Sequence, residues 1–354
     1  MGIDPVVSAR SENPDPRIVA ASESSIAQAA ELLAQGKLVA IPTETVYGLA
    51  ANAWDADAVR KIFQAKNRPA TNPLIVHVAS VERLADAIAS PVDPSIAEQM
   101  SVVAGFWPGP LTVVCARGPN IPDIVTAGRS TVAVRIPSHP VVRALLSKCP
   151  FPVAAPSANP SNYVSATTAR HVADGFRPGA DGGASVELIL DGGPCQFGVE
   201  STIISARAKG PVLLRPGGIT AEELRRKFAA IGCSLSIGSD DKEEKSAKLA
   251  PGMMKLHYSP NTRLVLLHQA HDCPAGMRVG RIAFRAIDDR QASMYATVAV
   301  LSETGDLREV AQHLFSALRR FDGLSLDEIH CDVCEPTGLG AAIMDRLTRA
   351  ASTS

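Results

Sequence analysis

The stretch Lys66–His77, KNRPATNPLIVH, constrains this chain more than any other. Two cations stand two residues apart, followed by a proline, polar residues and a strand-like apolar run that ends in a histidine. A helix delivers Lys66 and a strand starts near Leu74, so Lys66 and Arg68 fall on a short connection between two rigid elements. That is where an α/β protein keeps its ligand-binding groups. The plainer reading is a solvated basic loop, and the rest of the chain has to decide between the two.

Helical and strand patterns alternate on both sides of this stretch. Ser24 or Ser25 caps a helix, SIAQAAELLAQ, that stops at Gly36. LVAI is a short buried strand, cut off by Pro42 and the polar TETVYG. Asp55 caps the helix whose apolar face is Val59, Ile62 and Phe63. PLIVHV, LTVVCA, TVAVRIP, VAAPSAN, VELILD, ESTIIS and VLLRP read as strands. VERLADAIA, SIAEQMSVVAGF, the segment from Pro140 to Leu146, a short helix capped by Thr167 or Thr168, and TAEELRRKFAAIG read as helices.

After Gly232 the chain changes character. DDKEEKSAK is a charge run without apolar period, and APGMMKLHYSPN follows it. Beyond that come LVLL, RIAFRA and TVAVL as strands, a helix from Asp306 to Phe321, strand EIHCDV and a last helix from Gly340. The expectation is an arm at residues 1–17, a first α/β unit at 18–232, a linker at 233–262 and a smaller, open α/β (Rossmann-like) unit at 263–354. A chain of 354 residues, longer than one core usually holds, suits that division.

The net charge of −1 argues against a protein whose main task is to grip nucleic-acid backbone. The first residues lack a leader's apolar run, Val6 stands where a myristoylation signal wants Ser or Thr, and no apolar run nears a membrane span of about 20 residues. A cytoplasmic protein is expected. Seven scattered cysteines do not form a disulfide framework. Cys331 and Cys334 make a lone C-x-x-C, read as a strand end carrying two thiols rather than a zinc site.

The usual chemical signatures are absent: no phosphate-binding G-x-x-x-x-G-K-[ST], no G-x-G-x-x-G after the first strand, no H-E-x-x-H and no G-x-S-x-G. What remains is a set of polar and cationic residues at element ends: Thr43, Thr45, Tyr47, Lys66, Arg68, Asn72, His77, Arg135, Ser157, Asn159, Ser201 and Arg215. Each alone has a structural reading, but strand ends of one α/β unit converge on one rim.

Seven segments occur in order: PTETVYGLAANA, K-x-R-P-x-x-NPLIVH, WPGPLT, TVAVRIPSHP, APSANPS, GVESTII and LLRPG. Together they resemble the YrdC-like domain of the threonylcarbamoyl-AMP synthase family. The charged linker, PGMMKLHYSP and EPTGLGAAIMDRL resemble the long, two-domain form of that family, so the likeness spans about residues 20–350. Asn67 and Asn162 stand where the family often has glycine.

The resemblance implies a YrdC-like twisted mixed sheet with flanking helices. It also implies a nucleotidyltransferase that makes L-threonylcarbamoyl-AMP and pyrophosphate from L-threonine, bicarbonate and ATP, with Mg2+. The product serves proteins that modify the adenosine beside the anticodon of certain tRNAs. Lys66 and Arg68 are then the catalytic cations. Arg68, Asn72, Thr131, Ser157, Ser165, Arg215 and Tyr258 face ATP, while Thr45, His77, Arg135, Ala155 and Ser201 face threonine. Arginine grips two phosphate oxygens at once, and the reaction requires no nucleophilic side chain. PGMMKLHYSP is expected to act as a lid, with Met253, Met254, Leu256 and Tyr258 covering the pocket and Lys255 and His257 facing phosphate or water. The metal ligands are not readable. Two other readings of the same domain type stand beside this one, an RNA-binding module without catalysis and a carbamoyltransferase of the hydrogenase-maturation type.

Overall fold

A computed structural model describes residues 17–176, 185–238, 258–268, 273 and 276–352. Strand β1 (Arg17–Ala20) leads into helix α1 (Glu23–Ala34), which Ser22 caps rather than Ser24 or Ser25. Ser22 Oγ accepts from Ser25 N, and Ser25 Oγ accepts from Ser22 N, so the two residues form a reciprocal cap. Strand β2 (Leu38–Ile41) follows, then β3 (Gly48–Asn52), helix α2 (Ala56–Lys66) and β4 (Ile75–His77). Asp55 caps α2 through Asp57 N and Ala58 N.

VERLADAIA forms only a 3-10 turn at Val81–Asp86. It buries one side chain, Leu84, so little apolar contact rewards a longer helix. Helix α3 (Pro94–Ala104), β5 (Leu111–Ala116), helix α4 (Asp123–Thr126), β6 (Thr131–Arg135), helix α5 (Pro140–Lys148) and β7 (Val153–Ala154) come next. The first unit closes with helix α6 (Ala169–Gly175), capped by Thr168, then β8 (Val186–Asp191), β9 (Thr202–Ser205), β10 (Val212–Arg215), helix α7 (Ala221–Ala229) and β11 (Ser236–Ile237).

Among the described residues these strands form one mixed sheet in the order β1-β8-β2-β3-β7-β4-β6-β5-β9-β10-β11. Arg17, read as the end of the arm, opens β1, and residues 1–16 lie outside the described residues. Strand β11 pairs with β10 through Val212↔Ser236, so the sheet runs past residue 232, where the linker was expected to start.

Two parallel strands, β4 and β6, lie side by side in the register Ile75↔Ala133 and His77↔Arg135. Successive side chains of a strand point to opposite faces. Val76, Val132 and Val134 therefore join the main apolar core with Leu111, Val113 and Ile204. Ile75, His77, Thr131, Ala133 and Arg135 point the other way. On that face the apolar cluster is small, Ile75, Val114, Ala133 and Ile203, and the polar side chains gather around it.

The second unit holds β12 (Arg263–Leu267), β13 (Val279–Ala283), helix α8 (Asp289–Ala292), β14 (Thr297–Val300), helix α9 (Leu307–Asp322), β15 (Glu328–Asp332) and helix α10 (Gly340–Ala351). Its sheet is parallel throughout, in the order β12-β15-β13-β14. Cys331 lies in the core of β15, and both it and Cys334 are free thiols. The second core is shared: Val46, Val164 and Val199 of the first unit pack with Leu314, Phe315, Leu318 and Ile343. Burying a valine contributes about 1.5–3 kcal/mol, so the contact joins the units firmly. Gly198, at φ +68°, lies against the backbone of α9, where an added Cβ would come within 2.3 Å of Ala311 O.

Candidate active site

The polar face of β4 and β6 opens into a pocket lined by Thr43, Thr45, Val46, Tyr47, Gly48, Arg68, Ile75, His77, Arg135, Ala155, Pro156, Ser157, Glu200, Ser201, Arg215 and Tyr258. Nine of the residues the resemblance assigns to substrates meet there: Thr45, Arg68, His77, Arg135, Ala155, Ser157, Ser201, Arg215 and Tyr258. Tyr258 completes the wall.

The segment after β2 builds one side. Pro42 ends the strand, and Thr43 Oγ1 then donates to Val46 O and accepts from Thr45 N and Val46 N. This tight turn presents Glu44 and Thr45 to Arg135. Arg135 donates to Glu44 Oε1 at 2.6 Å, Thr45 Oγ1 at 3.0 Å and Gly109 O at 3.1 Å. Burial alone would raise the Glu44 pKa, but the charge and hydrogen bond of Arg135 outweigh it and hold the carboxyl below its ordinary value. His77 is pushed down to about 3, first by burial and then by the Arg135 charge, so its ring is neutral at neutral pH. Its buried Nδ1 has no hydrogen-bond partner among the described residues.

Three cations differ in what they do. Arg68 lines the pocket and is fixed by Nε to Asn72 O at 3.1 Å and Nη2 to Pro73 O at 2.9 Å. Burial lowers its pKa to about 10, which leaves it charged at neutral pH. Arg215 lines the pocket and donates to Ser201 O and Oγ. Lys66 does not line it. Its Nζ, on a side chain only 1% exposed, donates to Ser157 O at 2.5 Å and to Asn159 O, tying the end of α2 to the loop of Ser157.

Besides Lys66, three expected site residues stand off the lining. Asn72 presents its carbonyl to Arg68. Ser165 donates to Glu200 Oε1 at 2.6 Å. Thr131 sits at the far end of β6, on the face of Arg135 and about 13 Å along the strand at 3.3 Å per residue. The expected site residues thus spread along β6 rather than meeting at a single point.

Sequence reading missed two buried acids of the first unit, Glu44 and Glu200, though each lies inside a quoted segment. It also missed two arginines of the second unit. Arg319 donates to Val164 O, Ser165 O and His171 O, and its guanidinium lies 4.9 Å from the ring centre of Tyr163. Arg346 donates to Glu200 Oε2. Tyr47, one of the polar residues at element ends, lines the pocket while fully buried, its hydroxyl donating to Gly193 O at 2.8 Å. Asn159 ties its own loop through Pro160 O and Tyr163 O. Of the expected lid, residues 253–257 lie outside the described residues, whereas Tyr258 stacks on Phe315 with ring centres 5.6 Å apart. Among the described residues no group of three or more His, Cys, Asp or Glu is placed to hold a metal ion, and no helix is long and apolar enough to cross a membrane.

Comparison with known proteins places this arrangement in context. A family model for Sua5, YciO and YrdC, described as telomere recombination, matches residues 31–217. A second, the threonylcarbamoyl-AMP synthase C-terminal domain, matches residues 219–352. The chain is 40% identical to a threonylcarbamoyl-AMP synthase of Pyrococcus abyssi, covering 93% of this chain and 94% of that one. It is also 40% identical to the threonylcarbamoyl-AMP synthase of Bacillus subtilis over the same shares. The crystal structure of P. abyssi Sua5 complexed with L-threonine superposes with a TM-score of 0.81 at 38% identity, covering 95% of this chain and 97% of that one. Both matched regions, the identity over most of the chain and the superposition agree, and the chain belongs to the Sua5, YciO and YrdC family, in the form that carries the threonylcarbamoyl-AMP synthase C-terminal domain.

Proposed function

We propose that this chain is an L-threonylcarbamoyl-AMP synthase acting on L-threonine, bicarbonate and ATP. The observation that carries the reading is the buried convergence of Arg68, Arg135 and Arg215 with neutral His77 on one pocket. The wall contains no serine or threonine hydrogen-bonded to a base: Ser201 Oγ meets Thr112 and Arg215. Such a site positions charged substrates and stabilises developing charge, and it has no covalent step to perform.

In this reading threonine lies at the Arg135 end, with Thr45, His77, the Ala155 backbone and Ser201. ATP extends along β6 toward Thr131, with Arg68 and Arg215 on its phosphates and Ser157 and Tyr258 alongside. The threonine nitrogen bonds to the carbon of bicarbonate and water leaves, giving a carbamate. A carbamate oxygen then bonds to the α-phosphorus as the bond from that phosphorus to the bridging oxygen breaks, and pyrophosphate departs. The arginines neutralise the leaving pyrophosphate. ATP enters as its Mg2+ complex. Glu200 in the pocket wall is held by Arg346 and Ser165, so Mg2+ would be carried in chiefly by the phosphate oxygens of ATP and would supply charge neutralisation there. The product is passed to the proteins that modify adenosine next to the anticodon of tRNA, and the chain meets tRNA only through them.

The test is pyrophosphate release by the full chain, with threonylcarbamoyl-AMP identified by mass spectrometry. Release is expected only with threonine, bicarbonate and ATP together. Equal release with threonine omitted would overturn the reading.

A further inference from the structure

Arg346 belongs to α10 of the second unit, yet its guanidinium is 1% exposed and meets the wall of the first unit's pocket. Its Nε donates to Glu200 Oε2 at 2.7 Å. The other carboxylate oxygen of Glu200 accepts from Ser165, so one buried acid joins the second unit to a residue assigned to ATP. The guanidinium carbon also lies 5.4 Å from the ring centre of Tyr258, which Phe315 holds from another side. Glu200, Tyr258, Arg68 and Arg215 all line the same pocket.

Two features separate this arginine from one that only fastens two domains. The first is charge. Glu200 is a carboxylate in a pocket that takes a polyphosphate, and unneutralised it would repel that ligand at short range. The second is an incomplete set of partners. Asp345 takes Nη1 at 2.7 Å, but Nη2 is buried with no hydrogen-bond partner among the described residues. A buried unmet donor costs about 1–3 kcal/mol, and this one lies beside the residues that line the pocket.

We infer that Arg346 is a positioning residue for the pocket: it neutralises and aims Glu200 and docks Tyr258, so that the ATP end of the site is completed by the second unit. The inference rests on the synthase reading for its substrate and deepens it by giving the second unit a part in the site.

The experiment uses the full chain with Arg346→Met, Arg346→Lys and the pair Glu200→Gln with Arg346→Met. ATP affinity is read by calorimetry with Mg2+, KM for ATP and for threonine by pyrophosphate release, and folding by thermal unfolding. Arg346→Met is expected to weaken ATP binding and raise its KM at least about tenfold, the scale of one lost charge-assisted contact, with the threonine KM within about threefold. Arg346→Lys keeps the charge without the planar fork and falls between parent and Met variant. The double variant removes the unpaired acid and regains at least about threefold of the lost ATP affinity. A melting temperature lowered with both KM values unchanged, or equal weakening of both substrates in the Lys and double variants, would overturn the inference. If Arg346→Met does not fold, Arg346→Lys against the parent reads the same split, an ATP KM raised with the threonine KM within about threefold. Calorimetry keeps the two conclusions apart: a parent that binds ATP without threonine-dependent pyrophosphate release sinks the synthase reading, while the effect of Arg346 on ATP binding is still measured.

Discussion

Lys66 Nζ donates to the carbonyl oxygen of Ser157 at 2.5 Å, 91 residues away in the chain, and to that of Asn159. The lysine of the K-x-R pair is therefore a brace between α2 and the loop of Ser157, and the arginine is the member that meets the pocket. Replacing Lys66 by Met leaves two carbonyls unmet. The expected loss is about 1–3 kcal/mol of stability in denaturant unfolding. Unchanged stability together with a large loss of turnover would put the lysine on the phosphates instead.

Arg68 is fixed from behind by Asn72 O and Pro73 O, so its position does not depend on a ligand. Arg68→Ala removes contacts that strengthen as charge builds on the leaving group. The rate is expected to fall at least about tenfold, or 1.4 kcal/mol of barrier, with the melting temperature little changed. Normal turnover by this variant would return the stretch to the solvated basic loop.

His77 links stability to pH with a definite sign. Its pKa is pushed down to about 3 from 6.5, so between those values the unfolded chain binds a proton that the folded chain excludes. Stability therefore rises with pH across that window and falls as pH drops below 6.5. From pH 7 to pH 5, where carboxylates stay ionised, the loss due to this residue is about 2 kcal/mol. His77→Gln should flatten the profile of unfolding free energy by that amount. An unaltered slope would mean that His77 is not the buried neutral group described.

Much of this site was legible because the backbone itself selects residues. Asn67 and Asn162 stand where family likeness suggests glycine, and both adopt positive φ, 49° and 67°. Asparagine is among the few residues that tolerate this conformation, so the departures keep the loops intact. The K-x-R connection and the strand ends were likewise visible, because a proline and a change of hydrophobic period mark them. What escaped was long-range pairing. Glu44 meets Arg135 across 91 residues and Glu200 meets Arg346 across 146, and no local period records either. Strand β3, GLAAN, has no β-branched residue and is a strand because β2 and β7 pair with it.

Arg135 already carries Glu44 and Thr45, so a simple truncation does two things at once. Arg135→Ala leaves a buried carboxylate unpaired, at a cost of about 3–5 kcal/mol in stability. Arg135→Lys keeps a charge for Glu44 but loses the planar fork that suits a carboxylate. The Lys variant is expected to fold and to raise the threonine KM at least about tenfold, with the ATP KM within about threefold. Equal weakening of both substrates would refute the pairing of Arg135 with threonine.

Tyr258 holds the last prediction. Its backbone is left-handed, at φ 66°, a conformation that costs a non-glycine residue about 1–2 kcal/mol. Docking sustains it: the ring stacks on Phe315 and lies against Arg346, and Ser259 N donates to Asn162 O at 2.9 Å. The ring also forms part of the pocket wall beside Arg68 and Arg215. In the proposed reaction a tyrosine held there shields the carbamate and the mixed anhydride from water, which destroys both. Tyr258→Ala is expected to slow synthesis at least about tenfold and to leak AMP without product, on the scale of an aromatic contact and its excluded water. Tyr258→Phe keeps the stacking and should retain most of the shielding. Limited proteolysis over residues 258–262 gives an independent measure, with ATP and threonine expected to slow cleavage in the parent and not in Tyr258→Ala. Cleavage indifferent to ligands, with Tyr258→Ala as active as the parent, would reduce the tyrosine to a packing contact between the two units.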